Sequence, residues 1–157
     1  MTVLGIDPGT AACGFGIVRE RGNRLKALDY GWWKTSASER PELRLKTIFD
    51  GVTELIEEWQ PRAVVLEESF VGVDARTALS VGQARGAVLV AAASFGLECA
   101  EYAPSRVKQA VCGYGRAEKA QVGRMVSAIL GLKQVPQPHH AADALAVAIC
   151  REIIRRS

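Results

Sequence analysis

The first third of the chain is a series of short apolar runs separated by turn-forming residues. The runs cover residues 2–7, 12–19 and 25–34, and turn signals stand between them at 8–10 and 22–23. Runs rich in β-branched and apolar residues that are bounded in this way predict strands. Three such strands joined by short turns predict an antiparallel meander.

The apolar spacing then changes from that of strands to that of helices. Apolar residues recur at helical spacing from Leu45 to Trp59, which predicts a helix that Pro61 closes. Asp74 is placed to cap a second helix that runs to about residue 95, with Gly96 at its end. Further strands are predicted at 63–66 and 97–102, and further helices at about 104–112, 117–130 and 139–156.

This order of elements predicts the fold class. Three strands are followed by helices that alternate with two more strands, and additional helices complete the chain. The order is typical of an α/β protein with a five-stranded mixed sheet and helices on both faces. Because 157 residues suit one domain, we expect a single domain that spans residues 1–157.

Charge and composition narrow the function only slightly. The formal charge of +3 and the sequence pI of about 8.8 permit a nucleic-acid partner but do not require one. The first twenty residues lack the pattern of a secretory leader, and the longest apolar run, 87–95, is too short to span a bilayer. We therefore expect a soluble, cytoplasmic protein with no membrane partner.

Carboxylates stand at the ends of two strands that are otherwise apolar. Asp7 lies near the carboxyl end of the first strand, and Glu67 and Glu68 lie at the carboxyl end of the fourth. Open α/β sheets usually place their functional sites at this edge. We therefore expect two distant segments to deliver carboxylates to one rim of the sheet.

The last helix adds candidate ligands near its beginning. His140 and Asp143 are three residues apart, and His139 and Asp143 are four apart. Either spacing places the pair on one face of a helix. Spacing alone does not choose between the two histidines, nor between the two neighbouring glutamates of the fourth strand.

Each of these groups also has an ordinary structural interpretation. Asp7 before Pro-Gly could start a turn, the Glu67-Glu68 pair could be a solvated strand end, and His139-His140 could mark a helix N-terminus. Taken together these interpretations are weaker, because uncompensated carboxylates at buried strand ends are costly. Carboxylates with at most one histidine suit Mg²⁺ or Mn²⁺, and two such ions about 3.5 to 4 Å apart can catalyse phosphodiester hydrolysis.

Four stretches of the chain carry a resemblance to a known family. LGIDPGTAACGFGIV, VVLEESFVGVDARTALSVGQARG, EYAPSRVKQAVCGYGRAEKAQV and HHAADALAVAI resemble the RuvC Holliday-junction resolvases, which have the ribonuclease H-like fold. The resemblance extends from Thr2 to about Ile149. It implies a metal-dependent endonuclease that resolves four-way (Holliday) DNA junctions by paired symmetric nicks in homologous recombination and DNA repair. It also implies a branch-migration motor complex as a partner.

The same resemblance selects the site residues. It implies that Asp7, Glu67, His140 and Asp143 are both the catalytic residues and the metal ligands, for two divalent ions per subunit. Many members of the family carry aspartate at the position of His140. Because imidazole suits transition metals better than Mg²⁺, we expect Mn²⁺ to be favoured over Mg²⁺.

Residues outside the acidic group are candidate DNA contacts. The resemblance places Phe70 at a position that stacks near the junction crossover, and Lys108 and Lys119 near the scissile phosphate. Arg106 and Arg116 lie on or beside the segments that lead to the site, where they could contact phosphates. The alternatives are core packing for Phe70 and a solvated face for the lysines.

A homodimer is expected because a four-way junction has approximate two-fold symmetry, and cutting two opposed strands requires two sites. The helix from Asp74 to about residue 95 is the candidate interface. Its small residues Ala78, Gly82 and Gly86 are spaced four apart and would let two helices approach closely. The alternative is that this ridge packs against the sheet of its own domain.

Three other functional classes are less consistent with the sequence. The opening segment also resembles the phosphate-binding hairpin of the sugar-kinase, Hsp70 and actin group, whose members need two related domains around the nucleotide. The YqgF-type relatives of the resolvases have a similar fold but are typically shorter, and the chain lacks their pattern. A protein that recognises branched DNA without cutting it would not need the complete set of candidate metal ligands.

Overall fold

One mixed sheet forms the centre of the molecule. The computed structural model describes residues 1–9, 11–36, 38–68 and 74–156. The strands of this described part are β1 (Thr2–Pro8), β2 (Ala12–Arg21), β3 (Arg24–Lys34), β4 (Ala63–Glu67) and β5 (Glu98–Tyr102). They form a five-stranded sheet in the order β3-β2-β1-β4-β5, in which β1, β2 and β3 pair antiparallel and β1, β4 and β5 pair parallel. The predicted antiparallel meander is confirmed.

The helices also agree with the sequence pattern, apart from their ends. Asp74 caps the second helix as predicted, because its carboxylate accepts a hydrogen bond of 2.9 Å from the backbone N–H of Thr77. The first helix begins earlier than its apolar spacing indicates, because Pro41 suits the first helical turn. The described helices are α1 (Pro41–Trp59), α2 (Ala75–Ser94), α3 (Pro104–Cys112), α4 (Lys119–Leu130) and α5 (His139–Arg156).

The two faces of the sheet are covered by different helices. Alternate residues of a strand point to opposite faces, so each strand contributes to two separate cores. Leu4 and Val64 pack with α1 and α2, whereas Val3 and Val65 pack with α3, α4 and α5. The prediction of a five-stranded mixed sheet with helices on both faces is therefore confirmed.

Glycines in β1 and β2 allow α5 to lie unusually close to the sheet. A Cβ atom on Gly5 would lie 2.1 Å from the backbone oxygen of Ala144, and one on Gly14 would lie 2.1 Å from that of His140. Both distances are far below van der Waals contact, so no larger residue fits without displacing the helix. The glycines thus determine how close the first turns of α5 lie to the sheet, and these turns carry two of the candidate site residues.

The outward side of α2 is open. A Cβ atom on Gly82 or Gly86 would meet no heavy atom within 4 Å, so these residues do not pack against the sheet of their own domain. Leu79 and Val90 on the same helix are 66% and 58% exposed. Separately, none of the helices that the structure describes combines the length and the apolar character that crossing a membrane demands.

Candidate active site

The alternation of side chains along β1 and β4 explains which carboxylates meet. Asp7 lies two and four residues after Gly5 and Val3, both of which face the α3–α5 side of the sheet. Glu67 lies two residues after Val65, which faces the same side of the sheet and is paired with Gly5. The two carboxylates therefore project from adjacent parallel strands towards the same helices.

Glu68 and Glu67 have different environments. Glu68 is exposed, and its backbone N–H donates a hydrogen bond of 2.8 Å to the carbonyl of Tyr102. Glu67 is partly buried and lines a cavity of about 200 Å³ together with Lys108, Lys119 and Asp143. The geometry thus distinguishes the two neighbouring glutamates, which spacing in the sequence could not do.

The first turn of α5 brings a histidine to Asp7. The Nδ1 atom of His140 lies 3.0 Å from the Oδ2 atom of Asp7, within hydrogen-bonding distance. This contact raises the pKa of His140 above its usual range, because the carboxylate stabilises the protonated ring. His139 is exposed and stacks at a tilt on the ring of His140, with ring centroids 4.1 Å apart. His140, and not His139, is therefore the histidine that contacts Asp7.

Asp143, one turn further along α5, contacts a lysine of α4. Its Oδ2 atom lies 3.1 Å from the Nζ atom of Lys119. Burial and the nearby charge of Asp7 nevertheless raise the pKa of Asp143, since they outweigh the effect of the lysine. The Lys119 side chain is 63% exposed, so its ammonium group remains accessible from solvent.

Glu67 shows most clearly that the carboxylates are crowded. Burial, followed by repulsion from Asp7 and Asp143, raises the pKa of Glu67 to about 7. Lys108 and Lys119 oppose this rise but do not cancel it. Three acidic groups from two strands and one helix thus affect one another electrostatically, although 136 positions separate Asp7 from Asp143 in the sequence.

A second and larger cavity opens beside the first. It has a volume of about 560 Å³ and lies between α4, the turn before α5 and the start of α5. Its lining includes Lys119, Arg124, His139 and Asp143. A basic and partly apolar concavity of this kind, next to a group of carboxylates, suits a polyanionic chain whose aromatic bases can stack.

Two of the predicted DNA contacts lie outside the cavities beside the carboxylates. Arg106 and Arg116 are exposed, and neither lines the two cavities beside the carboxylates. Lys108, in contrast, lines the smaller cavity and acts electrostatically on Glu67. The prediction for Phe70 lies outside the residues that the structure describes.

The chemistry of the donor set fits a hard divalent cation. Three carboxylates and one imidazole are the ligand types that Mg²⁺ and Mn²⁺ accept. Among the described residues, no three His, Cys, Asp or Glu side chains are already arranged around one point; Asp7 pairs with His140, and Asp143 pairs with Lys119. The raised pKa of Glu67 reflects burial and then repulsion from Asp7 and Asp143, and a bound cation would relieve this repulsion.

One residue near the site was missed by the sequence analysis. Arg85 lies on α2, on the opposite side of the sheet from α5, and is only 4% exposed. Its Nη1 atom donates a hydrogen bond of 2.8 Å to the backbone carbonyl of Glu67, and its Nη2 atom pairs with Glu101. The sequence did contain a signal for Arg85, because it lies at helical spacing from the buried residues Val81 and Val88. An arginine on the buried face of a helix indicates a specific partner, since charged residues are rarely buried unless they are paired.

Comparisons with known proteins show which family the chain resembles. The family described as crossover junction endodeoxyribonuclease RuvC matches residues 3–151. The protein of that name from Moorella thermoacetica is 55% identical over 150 residues, which are 96% of this chain and 90% of that protein.

Solved structures support the same relationship. Thermus thermophilus RuvC has a TM-score of 0.91 at 40% identity, over 99% of this chain and 96% of that one. The same protein in complex with Holliday junction substrate has a TM-score of 0.91 at 39% identity, with equal coverage. The expected ribonuclease H-like fold is thereby confirmed. The match of the family to nearly the whole sequence and the likeness of the folds establish that the chain belongs to the RuvC family of crossover junction endodeoxyribonucleases.

Proposed function

We propose that this chain is a metal-dependent endonuclease that resolves four-way DNA junctions by paired symmetric nicks, in homologous recombination and DNA repair. Membership of the RuvC family and the Thermus thermophilus relative in complex with Holliday junction substrate support this function. The observation that carries it is the partial burial of Glu67 close to Asp7 and Asp143, since burial and then the repulsion of these two carboxylates raise the pKa of Glu67 to about 7. Such crowding is typical of carboxylates arranged to hold a cation.

The family implies catalysis that depends on divalent metal. We infer further that Asp7, Glu67, His140 and Asp143 hold two ions per subunit, either Mg²⁺ or Mn²⁺. Bound there, two ions would activate a water molecule and stabilise the leaving oxygen of the phosphodiester. The four side chains would hold the ions in place, and the negative charge of the three carboxylates would compensate the positive charge of the ions.

His140 gives the site a mixed set of nitrogen and oxygen donors. Its Nδ1 atom faces Asp7 at 3.0 Å, so the two side chains are close enough to serve one ion. A neutral imidazole is the form that ligates metal, and nitrogen ligands favour transition metals over Mg²⁺. We therefore infer that Mn²⁺ supports faster cleavage than Mg²⁺.

Basic residues beside the carboxylates are proposed to hold the DNA backbone. Lys108 and Lys119 line the cavity that contains Glu67 and Asp143, where a scissile phosphate would lie. Arg106 and Arg116 are exposed and are proposed as more distant phosphate contacts. Removal of one such contact should reduce the slope of log affinity against log salt concentration by about one. Phe70 is proposed, on the family resemblance alone, to stack on an unpaired base.

The protein is proposed to act as a homodimer, joined through α1 and α2. A groove of about 390 Å³ between these helices is lined by apolar residues, including Phe49 and Val90, and by the oppositely charged Glu42 and Lys46. A second copy related by a two-fold axis could place each charge against its opposite. Two further observations support a second copy of the chain as the partner at this surface: Leu79 and Val90 are exposed, and the space beside Gly82 is open.

Two wider expectations complete the proposal. One domain, residues 1–157, is proposed to carry the whole nuclease site, because both cores are built on a single sheet. A branch-migration motor that delivers the junction is proposed as the protein partner, on the family resemblance.

A cleavage assay on a synthetic four-way junction, with a linear duplex of the same sequence beside it, tests the function. Asp7→Asn should bind the junction normally but cut at least about 100-fold more slowly, because even the outer partners of a metal site cost 10- to 100-fold. Asp29→Asn, on the distant strand β3, is the matched control and should cut normally.

The same assay separates cutting from binding alone. A protein that only recognises branched DNA would bind the junction and leave it intact with every metal. Rapid cutting by Asp7→Asn, or equal cutting of the linear duplex, would contradict the proposed site or the proposed substrate, respectively.

A further inference from the structure

A buried arginine on the opposite side of the sheet supports the residue that carries a site carboxylate. The Arg85 side chain is 4% exposed, and its Nη1 atom lies 2.8 Å from the backbone oxygen of Glu67. The other terminal nitrogen of the same guanidinium pairs with the carboxylate of Glu101 on β5. One rigid group thereby joins α2, the end of β4 and β5.

The location of this contact matters because Glu67 is the last residue of β4. The described pairing of β4 with β1 ends at Leu66, one residue earlier. On the other side β5 pairs with Glu67 through Tyr102. The guanidinium supplies a donor to the strand-end carbonyl, and a planar group with fixed donors constrains direction as well as distance.

We propose that Arg85 is a positioning residue for Glu67: its contact with the Glu67 carbonyl fixes the backbone at the end of β4 and so directs the carboxylate into the metal site. This inference rests on the proposed function of Glu67 as a metal ligand. Partners outside the ligands themselves commonly set the orientation of a metal site. Arg85 touches neither metal nor DNA in this role and acts only through Glu67.

Arg85→Lys is the most informative variant. Lysine keeps a positive charge near Glu101, but a compact ammonium group cannot reproduce the two directed contacts of the guanidinium. Titration with Mn²⁺ alone, followed by calorimetry, should show affinity reduced by about 10- to 100-fold. Junction binding in EDTA should change by less than a factor of about two, because the basic residues beside the site are unchanged.

Arg44→Lys is the matched control. Arg44 is also a buried arginine, 6% exposed, and its Nη2 atom lies 3.4 Å from the Oε1 atom of Gln83 on α2, so this hydrogen bond joins Arg44 to Gln83 and not to Glu67. The two variants should lower the melting temperature by comparable amounts, whereas only Arg85→Lys should weaken Mn²⁺ binding and raise the Mn²⁺ concentration needed for half-maximal cleavage. Equal loss of Mn²⁺ affinity in both variants would overturn the inference, because it would reflect general loosening of α2.

A double variant tests the same inference if Arg85→Lys does not fold. Arg85→Met combined with Glu101→Gln removes both charges together, so no buried charge is left without its partner. It should fold and still bind Mn²⁺ more weakly than Glu101→Gln alone. Mn²⁺ affinity equal to that of Glu101→Gln would overturn the inference.

Glu67→Gln, measured in parallel, separates this inference from the proposed function. If Glu67→Gln binds Mn²⁺ and cuts like the wild type, the assignment of Glu67 as a ligand is wrong, and the inference fails with it. If Glu67→Gln loses Mn²⁺ binding while Arg85→Lys retains it, only the role of Arg85 is wrong.

Discussion

The two faces of the sheet are built alike but differ in what they expose. On the α3–α5 face, an apolar core ends at the carboxyl edge of the strands in a cavity lined by two carboxylates and two lysines. The carboxylate of Asp7, which is paired with His140, adds to the negative charge there. On the α1–α2 face, a core of similar composition ends in an open groove that includes the exposed Val90, and Leu79 is exposed on the same helix. One face therefore presents charge that needs compensation, and the other presents apolar surface that needs cover.

The difference shows how one sheet can separate two tasks. Because neighbouring residues of a strand point to opposite faces, a ligand on one face and a core residue on the other can be adjacent in sequence, as Leu66 and Glu67 are. Arg85 is the described residue that crosses this division, since it belongs to α2 and holds the backbone of Glu67. The proposed dimer surface and the proposed active site are thus carried by opposite sides of one rigid layer.

The largest effect is expected from closing the space between the sheet and α5. In Gly14→Ala the new methyl group would lie 2.1 Å from the backbone oxygen of His140, so the start of α5 must move. We expect the free energy of unfolding to fall by about 1 to 3 kcal/mol. We also expect cleavage to fall by about 100-fold, because small misplacements of catalytic groups are costly. Chemical denaturation and the junction assay measure the two effects.

Gly82→Ala is the corresponding change on the other face. Within one subunit no atom outside the neighbouring stretch of α2 lies within 4 Å of the new methyl group, and alanine has a higher helix propensity than glycine. The free energy of unfolding of the isolated subunit should therefore rise by about 0.5 to 1 kcal/mol. If Gly14→Ala is as stable and active as the wild type, the close approach of α5 does not determine the site.

The second prediction concerns the apolar groove. Val90 is 58% exposed, so Val90→Asp should change the free energy of unfolding of one subunit by no more than about 0.5 kcal/mol. In a dimer interface, however, the new carboxylate would be buried without a partner, which is costly. Sedimentation should therefore show a monomer, and the second of the paired nicks should follow the first more slowly.

Val90→Thr controls for the change of residue at this position. Threonine has nearly the same shape and no charge, so this variant should remain associated and cut both strands normally. A dimer of unchanged strength with Val90→Asp would place the subunit contact elsewhere on the molecule.

The third prediction is a pH dependence that belongs to the α5 face. Because the pKa of Glu67 is raised to about 7, its carboxyl holds a proton below that pH, and metal must compete with the proton. At limiting metal the cleavage rate should fall by at least about tenfold per unit as the pH drops below 7, because Glu67 must be ionised and His140, whose pKa is also raised, must be neutral to bind metal. Single-turnover rates between pH 6 and 8 measure this limb, and saturating metal should shift it to lower pH.

Stability of the metal-free protein should depend on pH in the opposite sense. The pKa values of Glu67, Asp143 and His140 are all raised, so the folded protein binds more protons than the unfolded chain. For Glu67 this stabilisation is present below its ordinary pKa of 4.5 and is lost as the pH rises through about 7. The melting temperature without metal should therefore fall over this range, and Glu67→Gln should fall less. A steeper fall in Glu67→Gln would contradict the assignment.

The smallest effect is expected from the choice of metal. If His140 is a ligand, Mn²⁺ should cut a few-fold faster than Mg²⁺ at equal concentration, because nitrogen ligands favour transition metals. His140→Asp should then raise activity with Mg²⁺ relative to Mn²⁺, since it restores an oxygen ligand. If His140 instead transfers a proton, the aspartate should not restore the use of Mg²⁺. If His140→Asp leaves the ratio of the Mn²⁺ and Mg²⁺ rates unchanged, the nitrogen ligand does not determine the choice of metal.

The sequence by itself determined the secondary structure and the general location of the site. Turn residues and apolar periodicity predicted the strands and helices to within a few residues, because these signals act locally along the chain. The apolar strands that end in Asp7 and Glu67 indicated the active edge for the same reason: a carboxylate at the end of a buried strand is locally anomalous.

The resemblance contributed what local patterns could not. It selected Glu67 over Glu68 and His140 over His139. In the structure Glu67 lies close to Asp7 and Asp143, and His140 contacts Asp7. The physical reason is strand register. Which of two adjacent residues faces α5 depends on the pairing of β4 with β1, and that pairing joins residues about sixty positions apart.

The tertiary structure alone decided the contacts that cross between elements. It brought Asp7 within 3.0 Å of His140, seated α5 on Gly5 and Gly14, and placed Arg85 against the Glu67 carbonyl from the opposite face. These contacts depend on the distance and direction between packed elements, which no periodicity within one element encodes. Local energies thus determined the elements of this protein, and packing determined which of their side chains meet.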